Sequence, residues 1–402
     1  MKICVYGISC SGKDTLVSEL LKSPNMKNYR HCKGSFLLNK CSKKIFHKDF
    51  NLLNNSEKDI IRKQFAESLQ KEDNFLVDGH FCFPSLTDKS FQTVFTDSDL
   101  ALYDSFVYLK SNTTEIYKRI QNSEKNKKFA SLSVEELHEW QCFEIKKLRE
   151  TCFCAQKDFV IIDDDFKNAI PYLSAYVNEK RFHSIEIAKH IVKLIEESKP
   201  KKVALIDCDR TVTAEDTTVP YFELNDGNIS ALKTIFVDDS YSHYQFWKQA
   251  KLYKDFSKYP KIEDFHLNPI VCNKISFLKK QGYVIYGLTS GVLEIWKQIN
   301  EKYHIFQSVI GNDLSYFGFI ISDFVKGFVT KLLKMNGCSV VSVGDSMCDI
   351  FMLEESDKGY IYAPSKIRSL VQEYICEHPK TKLMQFANNE FQYSGIKAEE
   401  QE

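Results

Sequence analysis

Val203-Ala204-Leu205-Ile206-Asp207-Cys208-Asp209-Arg210-Thr211-Val212-Thr213 decides the reading of the C-terminal half. Four apolar residues lead directly into two carboxylates with one residue between them. A short, unbroken apolar run suits a strand buried on both faces, the usual state of a parallel sheet. Val340-Val341-Ser342-Val343 repeats the pattern and ends in Gly344-Asp345-Ser346-Met347-Cys348-Asp349. A third run, Tyr283–Leu288, ends in Thr289-Ser290-Gly291. Three strand tips therefore offer Asp207 with Asp209, Asp345, and Thr289 to one place.

A different signature opens the chain. Ile3-Cys4-Val5-Tyr6 precedes Gly7-Ile8-Ser9-Cys10-Ser11-Gly12-Lys13-Asp14-Thr15. A Gly-x4-Gly-Lys turn between a strand and a helix points backbone N–H groups into one cavity, and the helix adds its positive end. Gly7 and Gly12 permit backbone conformations that a side chain would block, and Lys13 can reach the β and γ phosphates. The expected ATP-binding set is Gly7, Ser9, Ser11, Gly12, Lys13, Asp14, Thr15 and Arg119, with Lys13 also catalytic. The hydroxyl that commonly follows the lysine is displaced by one: Asp14 comes first and Thr15 second. The apolar run Asn74–Val77 ends in Asp78, a second candidate catalytic carboxylate for a magnesium shell or an acceptor. His47, Lys48 and Asp49 lie where an acceptor segment could fall, and Lys125, Lys127 and Lys128 offer a lid.

Both halves alternate strand runs with amphipathic helical stretches, which predicts an α/β protein of two doubly wound parallel-sheet domains, each a three-layer α/β/α sandwich. In the first half, strands are expected at Lys2–Tyr6, Asn74–Val77, Ser105–Leu109 and Phe159–Ile162. Helices are expected at Lys13–Leu21, Ser56–Gln70, Thr113–Gln121, Ser133–Thr151 and Ser184–Ser198. Pro200 in a charged run stops the last of these and marks a junction. The expected domains are 1–198 and 199–380, with a mainly helical cap at about 216–272, then a polar tail at 381–402.

The C-terminal motifs resemble the haloacid-dehalogenase-like phosphatases, on the side of the phosphoserine-phosphatase branch. That resemblance implies that Asp207 is a nucleophile forming an aspartyl-phosphate and that Asp209 is the general acid and base. It gives Thr289 the role of binding the phosphoryl group, with Ser290 a rival. Lys326, in Lys326-Gly327-Phe328-Val329, is taken as the charge-offsetting lysine ahead of Lys331. Magnesium would be held by Asp207, by the backbone carbonyl of Asp209, by Asp345 and by Asp349. Three features depart from the family pattern. Cys348 stands where Asn is common, Arg210 stands where Gly or Ser is frequent, and no arginine occurs from Thr211 to Ile367. Phosphoserine, which needs a cation for its carboxylate, is therefore expected to be a poor substrate. Asp216 is available as a cap-facing carboxylate. The cap aromatics, Tyr221 to Phe256, are read first as core and second as a stacking surface for a flat group.

The N-terminal motifs resemble P-loop nucleotide and small-molecule kinases of the adenylate-kinase type. The combined expectation is a bifunctional enzyme with ATP and Mg2+ as cofactors and a small-molecule phosphate ester as substrate. One alternative is a polynucleotide 5'-kinase/3'-phosphatase for end repair. Another is a phosphatase regulated by a non-catalytic ATP-binding domain.

The 402 residues carry 54 acidic and 54 basic side chains, so no basic excess favours nucleic acid as a partner. Thirteen cysteines without paired spacing read as thiols in a reducing compartment. No apolar run reaches the ~18 residues that span a bilayer, and no leader pattern opens the chain. The expectation is a cytoplasmic enzyme.

Overall fold

A computed structural model describes residues 1–236, 241–312, 319–379, 381, 383–387 and 390–393. The chain divides into two compact units, Met1–Glu179 and Lys180–Glu402. None of the thirteen cysteines is in a disulfide. Among the described residues no helix is long and apolar enough to cross a membrane.

In the first unit the elements run β1 (Lys2–Tyr6), α1 (Lys13–Leu20), β2 (Arg30–Cys32), α2 (Gly34–Phe46), α3 (Asn55–Leu69) and β3 (Phe75–Asp78). There follow β4 (Cys82–Pro84), β5 (Phe91–Thr93), α4 (Asp97–Leu102), β6 (Ser105–Leu109), α5 (Thr113–Gln121), α6 (Val134–Cys154), β7 (Asp158–Ile162) and α7 (Phe166–Asn178). Five strands form one parallel sheet in the order β2-β3-β1-β6-β7. Central β1 is buried on both faces, which is why it reads as an uninterrupted apolar run. β4 and β5 make a separate antiparallel hairpin just after β3. Six elements were silent in the sequence: β2, α2, β4, β5, α4 and α7. β2 is three residues with one buried, α2 buries only Gly34 and Ser42, and α7 contains Pro171.

The second unit begins with α8 (Ser184–Glu196) and β8 (Lys202–Ile206), then the cap helices α9 (Thr218–Leu224), α10 (Ile229–Ile235) and α11 (His243–Tyr253). The core resumes with α12 (Pro269–Lys280), β9 (Val284–Val292), α13 (Leu293–Tyr303) and β10 (Ser308–Asn312). It continues through α14 (Asp323–Met335), β11 (Ser339–Gly344), α15 (Ile350–Glu355), β12 (Lys358–Tyr362), α16 (Ser369–Glu377), β13 (Met384–Ala387) and β14 (Glu390–Tyr393). The strand order is β10-β9-β8-β11-β12-β13-β14, parallel except for the last pair. β8 lies between β9 and β11, so the three chemistry-bearing strand ends are neighbours.

Three expected boundaries move. The junction set at 198/199 falls at Glu179/Lys180. α8 packs on α14 and buries Ile187, Ala188, Ile191, Val192 and Ile195, so it belongs to the second core. Pro200 ends that helix without ending a domain. The cap set at 216–272 closes earlier, where the Thr213–Leu267 bridge and the Asn268 N–H donating to Val212 staple its two ends. α12 then packs against β9 in the core. Part of the cap, 237–240, lies outside the described residues. Within the tail expected at 381–402, β13 and β14 extend the sheet. Residues 382, 388, 389 and 394–402 of that tail lie outside the described residues.

The cap aromatics are core. Tyr221, Phe222, Tyr244, Phe246 and Tyr253 are buried, and Phe236, Tyr241, Trp247 and Phe256 pack around them. Tyr221 and Phe222 meet Phe256 edge-on at 5.4 and 5.2 Å, the arrangement ring quadrupoles favour.

Candidate active sites

The N-terminal loop leaves β1 and turns into α1 with Gly7 at φ 154° and Gly12, the N-cap, at φ 102°. A side chain at Gly7 would meet the Leu109 carbonyl and Ser11 Oγ at 2.8 Å each, so the close approach needs glycine. The Lys13 ammonium lies 2.6 Å from the Gly7 carbonyl and 3.0 Å from that of Ile8. Burial lowers its pKa, against the opposing pull of Glu144, Asp78 and Asp14. Arg119 donates to the Cys10 carbonyl at 3.2 Å, and Ser111 Oγ to that of Ser11 at 2.8 Å. Ser9, Gly12, Lys13, Asp14, Thr15 and Arg119 line a cavity of about 1500 Å3; Gly7 and Ser11 do not line it. Of the expected lid lysines, Lys125 and Lys128 line it. Of the expected acceptor segment, Asp49 lines it while His47 and Lys48 do not.

Asp78 stands at the tip of β3 and faces the same cavity. It accepts from the Gly34 amide at 3.3 Å and lies 3.0 Å from His31 Nε2. Burial raises its pKa, but His31 and the Gly34 amide outweigh burial and hold the carboxyl below its ordinary value. Glu144 of α6, fully buried, takes the Phe81 and Cys82 amides at 3.0 and 2.9 Å and the Tyr108 hydroxyl at 2.9 Å. Burial raises its pKa. It fastens the turn that follows Asp78. Neither His31 nor Glu144 was legible in the sequence: a histidine in a three-residue strand and a glutamate on a long helix carry no local mark.

In the second unit, Lys326 on α14 is 1% exposed and its ammonium lies 2.7 Å from both Asp207 Oδ1 and Asp349 Oδ1. Burial opposes its charge, but Asp207 and Asp349 raise its pKa well above the ordinary value. Lys331, the sequence rival, instead pairs with Glu355 at 3.5 Å. The Asp207 carboxylate also accepts from Thr211 Oγ1 at 2.9 Å. Asp349 Oδ2 accepts from the amides of Asp345 and Ser346 at 3.2 Å each, which fixes the last loop. Burial, then the charge of Asp349, drives the Asp207 carboxyl up against the opposing pull of Lys326.

Asp209 points away from that cluster. Its Oδ1 accepts from the Thr217 amide and hydroxyl at 2.7 and 2.6 Å. Its Oδ2 accepts from Trp296 Nε1 at 3.1 Å and Thr289 Oγ1 at 3.3 Å. Burial, followed by Asp216, raises its pKa to about 6. A side chain at Gly291 would collide with the Asp209 carboxylate, so glycine leaves room for it there. Thr289 also accepts from the Gly291 amide at 2.9 Å, while Ser290 faces Cys348 at 3.5 Å. Asp216 pairs with Arg210 at 3.1 Å and accepts from the amide of Thr218, the first residue of cap helix α9, at 3.0 Å. Thr217, Trp296 and Arg368 were not singled out in the sequence. Arg368 ends the arginine-free stretch and lies 2.5 Å from Asp345 Oδ2.

Carboxylate oxygens of Asp207, Asp345 and Asp349 lie within 4.8 Å of one another. This all-oxygen donor set suits a hard divalent ion such as magnesium. The Asp209 carboxylate stays outside that group, leaving it available for proton transfer.

A family model described as an AAA domain matches residues 3–139. No curated protein matches the chain. A phosphoserine phosphatase carrying a phospho-aspartyl intermediate analogue is 17% identical, with 47% of this chain and 95% of that chain covered and a TM-score of 0.34. The phosphoserine phosphatase from T. onnurineus is 16% identical over 47% of this chain and 90% of that chain, at a TM-score of 0.32. The shikimate kinase from Bacteroides thetaiotaomicron is 13% identical over 44% of this chain and 98% of that chain, also at 0.32. The first unit thus pairs a parallel α/β sheet with a strand–glycine loop–helix turn within the span of that family model, and the second brings carboxylates to neighbouring strand ends of a mainly parallel α/β sheet.

Proposed function

We propose that the chain is a bifunctional phosphate-transfer enzyme. Its first unit moves the γ-phosphoryl of ATP to a small-molecule hydroxyl or phosphate acceptor. Its second unit hydrolyses a phosphomonoester through an aspartyl-phosphate. The observation that carries the phosphatase reading is the buried Lys326 between Asp207 and Asp349, 2.7 Å from each, beside Asp345.

A bound magnesium ion would neutralise charge on the phosphate and align it with Asp207. An Asp207 carboxylate oxygen attacks phosphorus, and the bond from phosphorus to the ester oxygen breaks. Asp209, supported by Thr217 and Trp296, gives its proton to that departing oxygen. In the second half Asp209 takes a proton from water, the water oxygen attacks phosphorus, and the phosphorus–Asp207 bond breaks. Inorganic phosphate and the original Asp207 carboxylate result. Thr289 holds the phosphoryl oxygens and Lys326 offsets their charge.

In the kinase unit, Lys13 and the loop amides would bind the triphosphate, and Asp78, held by His31 and Gly34, would orient the acceptor. A cytoplasmic setting agrees with thirteen thiols. The test is a phosphate-release screen over monoesters with the wild type and Asp207→Asn, alongside an acceptor screen with γ-labelled ATP. Phosphoserine is expected to rank low, since the described cap has no arginine for its carboxylate. Comparable turnover of phosphoserine and a nucleoside monophosphate would refute that ranking.

A further inference from the structure

Beside the phosphate loop, three side chains from three elements converge. Asp14 comes from the first turn of α1, His31 from β2 and Asp78 from the tip of β3. One donor atom from each lies within 4.8 Å of the other two. Parallel pairing of β2 with β3, with Cys32 opposite Val77, brings His31 up to Asp78. The His31 and Asp78 side chains are 11% and 17% exposed, so the pair is shielded from bulk water. Asp14 and Asp78 open onto the cavity that Lys13 lines. Asp14 also occupies the position after the lysine where loops of this kind commonly carry a hydroxyl.

We propose that Asp14, His31 and Asp78 form a divalent-metal site whose imidazole donor makes it prefer manganese over magnesium. Magnesium is small, hard and reluctant to shed water, and it takes oxygen ligands in a near-ideal octahedron. An imidazole nitrogen suits softer first-row ions, while carboxylates suit magnesium and manganese alike. Two carboxylates with one imidazole therefore fit manganese, which still leaves positions for phosphate oxygens. The carboxylate group of Asp207, Asp345 and Asp349 offers no nitrogen, so the two metal sites of this chain differ in donor chemistry. The site rests on side-chain placement alone, and ion binding there needs neither ATP nor turnover.

The experiment uses the full chain and Mn2+ alone. Electron paramagnetic resonance counts bound ions, and electron spin-echo modulation detects nitrogen bound to them. Two ions per chain are expected, with nitrogen coupling on one. Growth on 15N-histidine should change that coupling to the 15N pattern without altering the protein. His31→Asp should keep two ions but abolish the coupling, and magnesium should displace that manganese at an at least tenfold lower excess. Asp345→Asn should remove the other ion and leave the coupling intact. Absence of coupling in the wild type, the result if His31 only orients Asp78, would overturn the proposal. So would coupling that survives His31→Asp in protein with a wild-type melting curve. If His31→Asp does not fold, the wild-type 15N result decides: no 15N-histidine coupling overturns the site. ATP binding, measured separately, tests the kinase reading, so the two can fail independently.

Discussion

At the residue scale, Lys326 explains how two buried carboxylates coexist on one sheet edge. Asp207 and Asp349 each lie 2.7 Å from its ammonium in a setting nearly closed to water. Lys326→Ala leaves two negative charges without their cation, and removing one partner of a buried pair costs about 3–5 kcal/mol. Denaturant unfolding of the second unit should show a loss of that size. Lys331→Ala, which removes the partly exposed pair with Glu355, should change stability by less than about 1 kcal/mol. Asp209 supplies a pH test. Burial and Asp216 place its pKa at about 6. The first chemical step needs it protonated, so phosphatase kcat/KM should fall as pH rises through about 6 with magnesium saturating. In residual Asp209→Asn activity that limb should vanish. A limb that persisted would assign the proton to another group.

At the scale of elements, α8 shows how a helix can belong to the domain that follows a sequence boundary. It buries five apolar side chains in the second unit, and the Tyr286 hydroxyl lies 3.1 Å from Ser198 Oγ just past its end. The four Ile and Val side chains among them are worth about 1.5–3 kcal/mol each when fully buried. Their sum rivals a domain's usual net stability of about 5–15 kcal/mol. A fragment of residues 180–402 should therefore unfold cooperatively, while 199–402 should lack a sharp transition. Circular dichroism melts of the two fragments distinguish the cases. A stable 199–402 fragment would return the junction to the proline.

At the scale of the whole molecule, the two proposed phosphate sites fall in two units with separate cores. Lys13→Ala should abolish ATP binding and leave phosphatase kcat/KM within about twofold, since it lies outside the second core. Asp207→Asn should lower phosphate release by at least ~1000-fold, as loss of a covalent nucleophile does, and leave ATP affinity unchanged. Titration calorimetry and phosphate release measure both. A phosphatase rate that changed severalfold in Lys13→Ala would instead favour ATP regulation of the second unit.

The sequence by itself determined two parallel α/β sheets, the phosphate loop and the carboxylates at the strand ends. Those features are local: an apolar run long enough to be buried on both faces, or a glycine-spaced turn between strand and helix. β2 and α7 escaped because a three-residue edge strand has little to bury and a proline masks a helix. Only the tertiary structure decided that Lys326 faces Asp207 across 119 residues. It also decided that His31 meets Asp78, that Trp296 and Thr217 hold Asp209, and that Arg368 reaches Asp345. Except for Thr217, eight residues on from Asp209, these contacts join segments well separated in the chain, and such a meeting is set by sheet order and helix packing, which no local stretch of residues encodes.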